Sequence, residues 1–104
     1  MKKKFSSEEI EIARIRIPKN NEVLGVVESL VGGDKAMVKC DDGKNRICRI
    51  PGRLRKRVWI SPGDVILVEP WKVETEKKGD IVFKYTPTQV SWLKKRGYGK
   101  TLML

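Results

Sequence analysis

Between Asp42 and Asp64 the chain carries Lys44, Arg46, Arg49, Arg53, Arg55, Lys56 and Arg57, and no acid. Those seven cations repel one another, and an ordinary solvated face would alternate its signs. The block is also broken by apolar residues at Ile47, Ile50, Leu54, Val58 and Ile60, so part of it must pack. Packed and basic together mean positive charge held on a shaped surface, which is what gripping a folded polyanion requires. Arginine outnumbers lysine five to two in the block. Its planar fork grips phosphate bidentately and stacks on bases, which suits structured RNA.

No comparable signal points to catalysis. The chain has no histidine, the commonest general base. Its serines lack a triad, its carboxylates do not pair in an apolar setting, and Gly32-Gly33-Asp34 lacks the Lys-Ser/Thr end of a phosphate loop. The expectation is a non-enzyme with no cofactor. Cys40 and Cys48 form no CxxC pair, so no metal site is expected. Buried, reduced thiols are the better reading, with a disulfide across the intervening hairpin as the alternative.

The whole chain has 104 residues, 23 basic and 13 acidic, for a net charge of +10. That is one small domain with a basic patch, and nucleic acid is the expected partner. An anionic membrane is the rival, but no long amphipathic helical face or ~20-residue apolar span is present. The Met-Lys-Lys-Lys start is followed by Ser6-Ser7-Glu8-Glu9 rather than an apolar stretch, so a cytoplasmic protein is expected.

The elements that must position the block follow from the flanking patterns. Residues 1–20 read as a basic arm, flexible until bound, although Ser6–Glu9 has the form of a capping box. An edge strand or a short helix lying on the domain is the alternative there. Residues 21–86 hold five strand patterns, at 23–30, 35–40, 44–50, 65–68 and 81–85, divided by Gly/Asp/Pro turns. Gly25 marks a bulge or a close approach, and Asp41-Asp42-Gly43 a hairpin. Basic residues of the third strand are expected to face outward at least in part. Residues 53–57 form a connector of about one helical turn. Residues 87–104 comprise a helix opened by the capping box Thr86–Gln89 with Pro87 at its first position, stopped by Gly97, and then a tail. Leu102-Met103-Leu104 in that tail needs a partner or a groove.

Five short strands with a small element after the third predict an all-β fold, a five-stranded OB-fold barrel with a short C-terminal helix. So small a barrel fills its interior with side chains and binds on its outside. Aromatics are few. Val58 and Ile60 suggest that Trp59 lies on or near the core, with base stacking as the other reading. The chain therefore reads as a reader of folded RNA shape and backbone.

The run from Arg46 to Ile60 with Gly63-Asp64 and Val65–Val68, the upstream Val23-Leu-Gly-Val-Val-Glu and Asp41-Asp42-Gly43, and the downstream Gly79–Tyr85 resemble the archaeal and eukaryotic initiation factor 1A family. The resemblance covers about residues 15 to 96 and extends more loosely to bacterial initiation factor one. It implies an S1-like OB barrel, monomeric, that binds ribosomal RNA in the A site of the small subunit. It implies a role in recruiting mRNA and initiator tRNA, with other initiation factors as further partners and the arm running toward the P site. By position, Arg46, Arg49, Arg53, Arg55, Lys56 and Arg57 would meet the RNA, with Lys84 a weaker candidate; Trp59 joins them only through the stacking reading above. Eukaryotic members carry a long acidic C-terminal tail that contacts the initiation GTPase. This chain shows no acidic run before Leu104, so an archaeal source fits and that contact is not carried over. A general RNA-binding protein or RNA chaperone of the OB class is the alternative function, and a structural ribosomal protein a third.

Overall fold

The computed structural model describes residues 6–104. Five strands, β1 (Val23–Leu30), β2 (Lys35–Cys40), β3 (Asn45–Arg49), β4 (Val65–Pro70) and β5 (Lys78–Lys84), close into a barrel in the order β1-β2-β3-β5-β4. All neighbours are antiparallel except β3 and β5, which run parallel with Cys48 opposite Gly79. Closure leaves no free sheet edge. Gly25 proves to be a close approach, since a Cβ there would lie 2.4 Å from a Val38 methyl. The bulge of β1 falls further on, between Val27 and Ser29.

Two cores explain why Val65–Val68 is buried at every position. Ile66 and Val68 join Val27, Val38, Cys40, Cys48 and Ile81 inside the barrel. Val65 and Leu67 point the other way, joining Leu24, Tyr85 and Leu93 of the helix α3 (Pro87–Lys95). That strand has both faces covered, so its apolar run is continuous rather than alternating. α3 carries the expected cap: the Thr86 hydroxyl accepts from the Gln89 amide at 3.2 Å and the Gln89 side chain accepts from the Thr86 amide at 2.9 Å. Gly97 ends it at φ +85°.

The helical alternative holds for part of the N-terminal segment. Ser7–Ala13 form a helix, α1, opened by a Ser6–Glu9 capping box, and Ile15 packs on the second core. Gln89 donates to the Glu11 carbonyl at 2.8 Å, and the Tyr85 hydroxyl donates to that of Arg16. The alternating pattern of residues 10–17 concealed the helix because the segment is only two turns long. Residues 1–5 of the expected arm lie outside the described residues. The C-terminal residues are not a free tail: Tyr98, Leu102 and Leu104 pack on the second core, and the Thr101 amide donates to Asp41 at 3.0 Å. The groove that Leu102–Leu104 needed is supplied by the domain itself. Both cysteines are free and buried, and burial pushes the Cys48 thiol up to about 12.

Candidate nucleic-acid interface

The short helix α2 (Gly52–Arg55) sits between β3 and β4. Pro51 opens it with an extended ψ of 146°, and its carbonyl accepts from the Leu54 and Arg55 amides at 2.9 and 3.0 Å. Leu54 and Val58, four residues apart, pack against the barrel core, and Val58 donates back to the Leu54 carbonyl. That anchor turns Arg53, Arg55, Lys56 and Arg57 outward, and all four are exposed. No carboxylate among the described residues lies within ion-pairing distance of any of them. Uncompensated charge on a packed turn can attract a polyanion.

Trp59 corrects the expectation that it lies near the core. Val58 and Ile60 pack on the barrel core, while the indole between them stands 86% exposed. A cleft of about 270 Å³ separates this segment from the Gly32-Gly33 turn, with Leu30 and Arg55 on its walls. An aromatic face beside fixed cations can stack an unpaired base while the arginines hold its phosphates.

The other expected contacts are used internally. Arg46 is only 3% exposed and is removed from the exposed basic surface. It has the same parity along β3 as Cys48 and Ile50, both buried, so it and Arg49 cannot face the same way. Its guanidinium grips Asp42 bidentately at 3.1 and 2.8 Å, and its Nε donates to the Thr75 carbonyl at 2.7 Å. Burial pushes the Asp42 carboxyl up, but hydrogen bonds from Arg46 and the Lys44 amide outweigh it, and its pKa falls below the usual value. Arg49 is exposed yet paired with Asp80 at 3.0 Å, and it lies 5.9 Å from the Trp71 ring centroid. Asp80 also accepts from the Trp71 indole at 2.9 Å. Lys44 lies 3.6 Å from Glu76. The acid-free run in the sequence is therefore not acid-free in space, because β5 and the β4–β5 turn bring carboxylates to β3.

Lys84 likewise turns inward on the fold. Its ammonium donates to the Trp59 carbonyl at 2.7 Å and lies 3.2 Å from Asp64. Asp64 in turn accepts from the Ser61 amide at 2.8 Å. Sequence reasoning missed Asp64, Asp80 and Trp71. Only the Ser61-Pro62-Gly63-Asp64 turn carried a local signal, as a turn whose acid can bond backward to an amide.

A closed five-stranded barrel with a small helical turn after its third strand defines the class: an OB-fold protein, here with exposed positive charge on that turn. The chain belongs to the translation initiation factor 1A / IF-1 family, whose description it matches over residues 12–103. It is 50% identical over 96 residues to translation initiation factor 1A of Pyrococcus abyssi, covering 92% of this chain and 85% of that one. To the Methanopyrus kandleri factor of the same name it is 51% identical over 86 residues, covering 83% and 77%. The solution structure of translation initiation factor one from the Wolbachia endosymbiont of Brugia malayi superposes with a TM-score of 0.50 at 33% identity, covering 64% of this chain and 79% of that one. Among the described residues, no helix is long and apolar enough to cross a membrane.

Proposed function

We propose that this protein binds ribosomal RNA at the A site of the small ribosomal subunit during initiation and promotes recruitment of mRNA and initiator tRNA. Family membership supports initiation as the process. The observation that carries the RNA reading is the α2 edge, where Arg53, Arg55, Lys56 and Arg57 stand exposed and unpaired beside the projecting Trp59. A packed turn bearing four free cations suits a structured RNA surface, because its backbone is ordered before binding and only the side chains lose freedom on contact. Arg49 is a weaker participant, since a phosphate must compete with Asp80 for it. The exposed indole favours a second reading, a general single-strand RNA binder of the OB class.

Co-sedimentation with isolated small and large subunits, at low and high salt, separates the two. Binding to the small subunit alone, lost at high salt, is the expected result. Equal binding to both subunits and to any unstructured RNA would replace the proposal with the general binder.

A further inference from the structure

Lys84 is a long way along the chain from Trp59, yet it bonds to that residue's own carbonyl oxygen. The contact is part of a closed arrangement. The ammonium of Lys84 holds the Trp59 carbonyl at 2.7 Å and Asp64 at 3.2 Å, and Asp64 holds the Ser61 amide at 2.8 Å. The turn is pinned from its other side as well. The Gly63 amide donates to the Val27 carbonyl at 2.8 Å, and the Val27 amide donates to the Asp64 carbonyl at 3.0 Å. Gly63 sits at φ +92°, which lets the chain reverse there. Trp59 itself has no such fixing through its side chain, being 86% exposed. What holds it is its backbone carbonyl, bonded by Lys84, which Asp64 holds in turn.

We infer that Lys84 and Asp64 are positioning residues, a side-chain clip from β5 that holds the Trp59 backbone so that the indole projects beside the α2 cations. The inference rests on the proposal that this edge binds RNA. It reverses the simple electrostatic expectation for both residues. A lysine on a basic surface would ordinarily touch phosphate, and an acid beside it would ordinarily repel RNA. Under the clip, Lys84 spends its charge inside the protein, and Asp64 aids binding despite its sign. Holding the Trp59 backbone matters because less remains to be ordered when a base stacks on the indole.

The test uses the full chain, purified small ribosomal subunits and the variants Trp59→Ala, Lys84→Met and Asp64→Ala, with affinity measured across a salt series. Trp59→Ala is expected to weaken binding about five-fold or more, the scale of one lost stack. Lys84→Met and Asp64→Ala should each weaken binding about three-fold or more, leave the salt slope unchanged, and add nothing to Trp59→Ala when combined with it. The clip is overturned if Asp64→Ala binds as tightly as the parent or tighter, or if Lys84→Met lowers the salt slope by about 0.7 to 0.9, the mark of a lost phosphate contact. Should Asp64→Ala fail to fold, Lys84→Met, which keeps the aliphatic stem and removes only the ammonium, decides alone. Should Trp59→Ala bind like the parent, the RNA reading of this edge fails instead. A fluorine resonance on 5-fluorotryptophan at position 59 then judges the clip without RNA. It should shift and narrow in Lys84→Met, and an unmoved line overturns the clip.

Discussion

β3 and α2 are adjacent in the chain and equally basic to the eye, but their arginines have opposite situations. Arg46 and Arg49 of β3 face carboxylates at 2.8 and 3.0 Å. Arg53, Arg55 and Arg57 of the α2 turn face solvent with no carboxylate partner among the described residues. The cause is topology. The β2–β3 hairpin delivers Asp42 to Arg46 and β5 delivers Asp80 to Arg49, whereas the α2 turn bulges from the barrel with no carboxylate in ion-pairing distance of its arginines among the described residues. A run of like charges thus divides into cations paired within the fold and cations left unpaired at the surface, and charge counting alone cannot make the division.

The largest expected effect is on the α2 side. Arg55→Glu with Arg57→Glu should lower small-subunit affinity by about a hundred-fold or more, since two charge-assisted contacts become repulsions. Its urea midpoint should stay near that of the parent. A soluble double variant that still co-sediments would erase the comparison. Arg46→Met should do the reverse, removing about 2 kcal/mol of stability in urea unfolding while affinity changes less than two-fold. The discount from a fully buried pair reflects the 39% exposure of the Asp42 side chain. Because Asp42 has a folded pKa below its unfolded one, its contribution is present above the unfolded value near 3.9 and is lost as pH falls through the folded value. The parent and Arg46→Met should therefore converge in acid. The smallest effect concerns the thiols beneath β3. With Cys48 at about 12, neither native cysteine should react with Ellman's reagent at pH 9 faster than the protein unfolds. Arg46→Met should speed that reaction, and the α2 double variant should leave it unchanged.

What the sequence disclosed follows the same division. Strand positions, turns and the α3 cap are local, and hydrophobic alternation with Asp-Gly and Thr-Pro signals made them readable. The anchoring of α2 was readable too, because Leu54 and Val58 interrupt the cations at helical spacing. The pairing of Arg46 with Asp42 was half visible. Parity along β3 puts Arg46 on the side of Cys48, but nothing local shows that Asp42 and the Thr75 carbonyl wait there. The Lys84 clip and the Asp80–Trp71 contact were invisible, since they join segments separated by an intervening strand or long turn. Trp59 misled because its neighbours are apolar. In extended chain, apolar neighbours on both sides are the reason a residue points away from the core. The docking of Leu102 and Leu104 depends on the outer face of β4 being apolar, which a continuous run such as Val65–Val68 signals only once a second layer is known to exist.

The parallel pairing of β3 with β5 has a bearing on how the chain matures. β1, β2 and β3 can form hairpins as they emerge, but β3 finds its second neighbour only after α2, β4 and the following turn have been made. Until then its outer rim of amides and carbonyls stands open, as does that of β1, which must await β4. Both seams close over long chain separations, so their pairing must bear a loop-closure cost that local propensity does not offset. A newly synthesised chain is thus most exposed to strand-to-strand aggregation just before residue 84 clears the tunnel, and least afterwards, when no rim is left to recruit another molecule.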